Sequence, residues 1–497
     1  MQLLPTLLPP TLLQLLPTEL LSEVLAHLDT YDLARLAATC RLLWRDAPTP
    51  PPRPMPLLRP MGPVEAELRR RATARGLRIV SCSPEGALSW VPYLLKRVLC
   101  DALRREAPLA VGHGVSLFLD AESRLLSCGS ERGGQLLLGH DWGTDIDPAV
   151  PRYIYHSTLV PSMQDRRIVS VATSDEHCLA LSAEGEVYSW GDGDFGSHGR
   201  GDHDASAVPS RIESLSHIES ITVGPCHTSA AVDEVGKLFT WGRATYNEDA
   251  ARPSGLGYAL DYQLTPKLVN ALSQDRVVGV ALGYGFTLAV TDAGVVFSFG
   301  QSPSGALGHG SLTGAEVLPR RIEGLWQTGR RFIAVAAGYT HALALTEEGE
   351  LYGWGCRVAN GHGRDETTPH HVTALVGQRV KHVDAGGLKS CAVTEMGELY
   401  TWGTGASGTL GHGDEEDQLA PKRVEGLNGV KVAATAVCQS HTLMADEDGV
   451  VWAFGDRMSM DVDDPDATLL NVRCTIPAPI PSLRVRARKS PGVLPFP

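Results

Sequence analysis

The residues best equipped for chemistry in this chain are seventeen histidines and ten cysteines. His309, His362 and His412 each sit between glycines, about one repeat apart, which disperses them instead of gathering them as metal ligands. Their reading is turn chemistry with local hydrogen bonding. His177, His227, His341 and His441 recur at what reads as one repeat position, where Phe286 and Lys389 also stand. A position open to Phe and Lys serves packing. Cys40, Cys100, Cys178, Cys226, Cys391 and Cys438 fall mostly inside apolar runs, and no Cys-x-x-Cys occurs, so the thiols read as reduced and buried. The run Asp461-Val462-Asp463-Asp464-Pro465-Asp466 lacks the glycine and ordered ligand spacing of a calcium loop. There is no phosphate-binding loop, no His-Glu-x-x-His and no nucleophile elbow. The sequence therefore predicts no catalytic residue, no metal and no cofactor, and function has to lie in surfaces.

Those surfaces are positioned by an internal repeat. Glu350-Leu351-Tyr352-Gly353-Trp354-Gly355, preceded by Thr346 to Gly349, returns at Trp190-Gly191, Trp241-Gly242, Phe299-Gly300, Trp402-Gly403 and Phe454-Gly455. A worn copy lies upstream, with Ser123 at the first glycine and Leu126-Ser127-Cys128-Gly129 after it. From Gly185 to Gly449 is 264 residues in five steps, a mean period of about 53. Aromatic, small, aromatic is period-two alternation: both rings leave one face of a strand, and Ser127, Ser189, Thr240, Ser298, Gly353, Thr401 or Ala453 takes the other. Trp190, Trp241, Trp354 and Trp402 are expected as packing knobs between sheets. The strand before each turn, such as His341 to Thr346, makes the pair a β-hairpin.

A second marker runs in phase: Pro, an aliphatic three residues on, then Leu three further. It occurs at Pro209/Ile212/Leu215, Pro266/Val269/Leu272, Pro319/Ile322/Leu325, Pro369/Val372/Leu375, Pro421/Val424/Leu427 and Pro477/Ile480/Leu483, with Pro151/Ile154 as a degenerate first copy. The 52 glycines, about one residue in ten against a usual share of about 7%, fit many short strands joined by tight turns. Each unit holds four short strands and cannot bury both faces alone; closing seven units into a ring solves that. The predicted fold is mainly β, a seven-bladed β-propeller over 107–483.

Gly338-Tyr339-Thr340-His341, the turn at Gly349, Tyr352-Gly353-Trp354-Gly355 and the loops Gly305 to Gly310 and Gly408 to Gly413 together resemble regulator of chromosome condensation repeats. The resemblance covers about three quarters of the chain. Kelch repeats differ in their double-glycine strand, and WD-type repeats need a Trp-Asp dipeptide that the array lacks. In this family the resemblance implies three roles: a binding platform, guanine nucleotide exchange on a small Ran-like GTPase, or ultraviolet-B sensing. The sensing motif is Gly-Trp-Arg-His-Thr, and here the positions read Gly338-Tyr339-Thr340-His341 and Gly283-Tyr284-Gly285-Phe286. Sensing is therefore set aside.

Upstream the pattern changes. Leu20, Leu21, Val24, Leu25 and Leu28 share one helical face, Thr18 can cap it, and Leu33, Leu36, Leu43 and Trp44 continue on further short helices. So few residues cannot bury so many apolar groups, which points to a docking partner. Residues 16–48 resemble an F-box from Leu16-Pro17 through Cys40 and Trp44. That resemblance implies a Skp-type adaptor and a cullin-RING ubiquitin ligase as partners. It makes Pro17, Leu20, Leu21, Val24, Leu28, Leu36, Cys40 and Trp44 the adaptor-facing or module-core residues; a helical pair packed on the propeller is the alternative. Around the module lie an N-terminal tail (1–15), a proline-rich spacer (49–63) that could also bind a proline-recognising domain, a helical bridge (64–106) with Arg69-Arg70-Arg71, and a basic tail (484–497).

The net charge of −13 gives no global attraction for nucleic acid or anionic membranes. The leucine-rich N-terminus has no Lys or Arg before Arg35 and carries Pro5, Pro9, Pro10 and Pro17, unlike a signal peptide, and no apolar run reaches 18 residues. The expectation is a soluble protein of the cytoplasm, the nucleus or both. A recruiter and a binder on one chain explain each other, so the leading reading is a non-catalytic substrate receptor for an unidentified client protein. Exchange on a small GTPase and a scaffold without a ligase role stay open.

Overall fold

The computed structural model describes residues 107–112, 114–131, 138–140, 152–243, 255–312, 314–457 and 472–485. The chain divides into two units, Met1–Glu106 and Ala107–Pro497, and the described residues belong to the second. The F-box-like module, the spacer, the bridge, the Asp461–Asp466 run and all but the start of the basic tail lie outside them.

Repeated hairpins set the architecture. In blade five, His341–Thr346 pairs antiparallel with Leu351–Gly355, with His341 opposite Gly355 and Ala342 opposite Trp354. Thr346 starts the turn, and its Oγ1 accepts the Glu350 N–H at 3.0 Å. Asp120, Ser182, Asp233, Thr291, Thr394 and Asp446 accept the equivalent N–H in the other six blades. A short polar side chain there satisfies a donor that the tight turn would otherwise leave unpaired. Ser123 takes the turn's left-handed position (φ 64), where the other blades carry glycine.

Each sheet has four consecutive antiparallel strands, and seven such sheets form: 109–159, 168–211, 218–268, 277–321, 332–371, 380–423 and 432–484. The propeller reading holds. Apolar cores fill every junction, including that between blade seven and blade one, where Leu443, Val451 and Ile480 pack on Leu109, Val111 and Phe118. The ring closes without a shared sheet, because blade one uses only N-terminal strands and blade seven only C-terminal ones.

The proline of the second marker sits on the outermost strand, as at Pro319 and Pro369, where one edge of the ladder needs no N–H. The aliphatic and leucine that follow are buried against the next blade. Blade one corrects the sequence reading. Its buried pair is Val160 and Met163, with the Val160 N–H bonded to Leu125 O as Ile212 is to Val187 O. Ile154 is half-buried within the outer strand and is not the equivalent residue.

Candidate interaction face of the ring

The recurring histidines pin one blade to the next. His341 Nε2 lies 2.7 Å from Ser390 Oγ in blade six, and that hydroxyl donates to Ala359 O at 2.9 Å. The one serine hydrogen is thus spent, so the imidazole must donate from Nε2. Burial pushes His341 down to about 3, which keeps the pin neutral. His177 meets Ser229 Oγ at 2.6 Å in blade three, and burial holds it well below the usual imidazole range. His441 reaches Ser116 Oγ at 3.2 Å across the seam. His227 does not share this position. In blade three Thr228 stands opposite Gly242 and closes the turn to Gly224, because the turn Pro225-Cys226-His227 is one residue longer. With the register restored, each pin reaches the second residue of the next blade's second strand.

The small residue between the two aromatics also has a partner. Ser127, Ser189, Thr240, Ser298 and Thr401 donate to loop carbonyls at 2.6–2.9 Å. His309 Nε2 lies 2.9 Å from the Ser298 hydroxyl and His412 Nε2 3.0 Å from that of Thr401, so these histidines are tied locally within their blades. At Gly353 a Cβ would stand 2.1 Å from Asn360 O, which excludes any side chain.

Trp190, Trp241, Trp354 and Trp402 are fully buried at blade junctions. Three of them donate the indole N–H to the preceding blade: Trp241 to Ser197 O (2.9 Å), Trp354 to Ala306 O (2.7 Å) and Trp402 to Ala359 O (2.8 Å). Gly355 follows with φ 91, and a Cβ would meet Thr340 O at 2.5 Å. Gly191, Gly242, Gly300, Gly403 and Gly455 also have positive φ.

Turns between first and second strands bring side chains from different blades together around the inner strands. Tyr339 reaches furthest. Its hydroxyl donates to Gln439 Oε1 of blade seven at 3.1 Å, its N–H to Gly387 O of blade six at 2.8 Å, and its carbonyl accepts the Tyr284 N–H of blade four at 3.2 Å. Burial, followed by the Asp175 carboxylate of blade two, pushes its phenol above the usual range. Beside it, Cys438 Sγ lies 3.3 Å from His441 Nδ1. Burial alone would raise that thiol, but His441 and the Lys389 ammonium bring it down to about 6. Lys389 is 1% exposed, and its Nζ has no hydrogen-bond partner among the described residues. Sequence reasoning missed the Tyr339 bridge; the residue sat in the Gly-Tyr-Thr-His motif, but its partners come from other repeats.

Pro17, Leu20, Leu21, Val24, Leu28, Leu36, Cys40 and Trp44 lie outside the described residues. Among the described residues, no three His, Cys, Asp or Glu side chains gather as a metal site.

Comparison with known proteins supplies the families. The profile described as "Regulator of chromosome condensation (RCC1) repeat" matches 184–231, 293–345 and 396–445, and a second profile of the same description matches 168–197 and 332–364. A profile described as "F-box-like" matches 13–47. The human E3 ubiquitin-protein ligase HERC2 is 38% identical over 367 residues, covering 72% of this chain and 6% of HERC2. The Arabidopsis thaliana ultraviolet-B receptor UVR8 is 35% identical over 298 residues, covering 59% of this chain and 63% of the receptor. This chain therefore spans less than two thirds of either relative. Prp20p from Saccharomyces cerevisiae, described with its binding to Gsp1p and histones, is 21% identical with a TM-score of 0.59, covering 76% of this chain and 88% of Prp20p, a likeness of fold. The chain is thus an F-box protein whose propeller is built from RCC1-type repeats.

Proposed function

We propose that this chain is a substrate receptor: its F-box docks on a Skp-type adaptor of a cullin ubiquitin ligase, and its propeller holds the client protein. The observation that carries the reading is the joining of an F-box-like segment at 13–47 to a closed seven-bladed ring on one chain. A ring pinned by buried histidines and tryptophans is rigid, as a platform for positioning a client should be. Transfer of ubiquitin belongs to the other subunits, and this chain adds no catalytic group. Such a receptor works in the cytoplasm or the nucleus.

The test is capture of a purified Skp-type adaptor by the full-length chain, beside a Pro17→Ala/Leu20→Ala/Trp44→Ala variant. Leu20 and Trp44 are apolar anchors, and their loss should weaken capture at least a hundredfold if they are interface hot spots. Circular dichroism checks that the variant ring stays folded. Capture by the wild type and not by the folded variant supports the receptor. No capture by either removes the reading, and nucleotide exchange on a Ran-like GTPase is then the assay that decides.

A further inference from the structure

Two kinds of connection open on the same side of each blade: the turn between its first and second strands and the loop between its third and fourth. On that side, blades two and three present an aromatic patch. Phe195, from the loop after Val187–Gly191, has its ring 5.2 Å from His227 and 6.1 Å from Tyr262. The Arg243 guanidinium stacks on it at 4.7 Å and is neutralised by Asp261 at 3.2 Å. Tyr262 is 42% exposed and Leu260 43%, so the patch offers apolar surface to water. Phe195 has φ 54, where blades four and six carry Ser304 (φ 52) and Ser407 (φ 61). The fold needs no ring there, since serine serves in two other blades.

Charge around the patch indicates what it takes. Asp192, Asp194, Asp202 and Asp204 lie on the same loop, and none forms an ion pair within 4 Å among the described residues. Arg200 lies within reach of the Asp202 and Asp204 charges, but its guanidinium is turned to His198 Nδ1 (2.7 Å) and Ser189 O (3.1 Å). Elsewhere carboxylates meet cations on both sides of the ring, at Arg364–Glu366 and Lys422–Asp414 on the same side and at Arg124–Asp120, Arg330–Glu350, Arg379–Glu395 and Arg423–Glu398 on the other.

We propose that the Phe195–Tyr262 patch docks a lysine- or arginine-bearing segment of a partner protein. The cation lies on the Tyr262 ring, its stem packs on Leu260, and the four aspartates set the sign of what binds. This rests on the receptor reading, in which the segment belongs to the client.

The probes are fluorescein-labelled twelve-residue peptides of alternating glycine with lysine, arginine or glutamate, titrated by anisotropy against the full-length chain. The lysine and arginine peptides should bind and the glutamate peptide should not. Tyr262→Ala should weaken binding at least fivefold without changing the net charge, and Asp202→Asn/Asp204→Asn at least tenfold. Phe195→Ser, the residue of the sister blades, should weaken it while leaving the loop folded. Asp414→Asn/Glu416→Asn, an equal charge change on blade six, should leave binding within twofold. Equal losses from both aspartate pairs, or no loss from Tyr262→Ala, would mean diffuse attraction to an acidic protein and overturn the proposal. So would binding of the glutamate peptide, or self-association in the ultracentrifuge that Tyr262→Ala abolishes. Adaptor capture is read separately on the same variants, so failure of the patch and failure of the receptor reading are distinguishable.

Discussion

Replacing Lys389 by methionine should make this protein more stable, against the usual direction of a core substitution. The side chain starts the second strand of blade six, is 1% exposed, and its ammonium has no hydrogen-bond partner among the described residues. Burial lowers it from 10.5 to about 8, partly offset by Cys438 and Asp456. The group is still charged at pH 7. At about 1.4 kcal/mol per tenfold change in proton affinity, holding that charge costs about 3 kcal/mol. Methionine has nearly the same length and no charge to desolvate. Some of the gain is returned, because Lys389 helps keep the Cys438 thiol low, leaving an expected gain of about 1–3 kcal/mol. For roughly 370 residues unfolding together, that is a rise of the thermal midpoint on the order of 1–4 °C. The pH dependence is the sharper test. The folded value lies below the unfolded one, so the penalty is complete below pH 8 and fades as pH rises from 8 to 10.5. Scanning calorimetry of both proteins should therefore show their difference at pH 7 shrinking by pH 10. A variant less stable than wild type at pH 7, or a difference that ignores pH, would refute the argument.

Further substitutions probe the joints between blades and one loop within a blade. Trp354→Phe keeps a ring, as Phe299 and Phe454 do in blades four and seven, but strands Ala306 O; urea unfolding should show a loss of about 1–2 kcal/mol, against about 3–5 for Trp354→Ala. Ser390→Ala leaves the His341 Nε2–H without its partner, while Ala359 O keeps the Trp402 indole N–H, and should cost about 1–3 kcal/mol; His341→Phe, the residue of blade four, should cost less. Thr401→Val removes the hydroxyl that holds Leu410 O at 2.6 Å, so amide exchange in the 404–413 loop should quicken before global stability falls.

Much of the ring was legible because each blade repeats the same physical demands. Alternating rings need a two-residue period, Gly355 needs a left-handed backbone beside Thr340 O, and Pro319 needs an outer edge. Each demand leaves a mark within one repeat. Features lacking such marks were misread or missed. In blade one, burial against the next blade selects Val160 and Met163, while proline at an edge is allowed and not required, so Pro151 misled the register. His227 was aligned with the pins because one extra residue in a turn leaves the flanking motifs intact. Tyr339 and Phe195 act through residues from other blades, and no single repeat shows their surroundings. The F-box was legible as a motif, and its contact residues await the adaptor experiment.

The closure of the ring bears on how the chain folds as it is made. Every blade consists of four strands consecutive in sequence, so each sheet can complete as its own residues leave the ribosome, docking on the one before. No early strand has to wait unpaired for a late one, which limits the time an exposed edge could recruit another chain. The longest reach is the last. Ser116 meets His441 across 325 residues, and the blade-seven core meets Phe118 when Val472–Arg484 arrives. Until then blade one presents an apolar face to the cell, and a chaperone that recognises this intermediate would have to release it as the final strand is made.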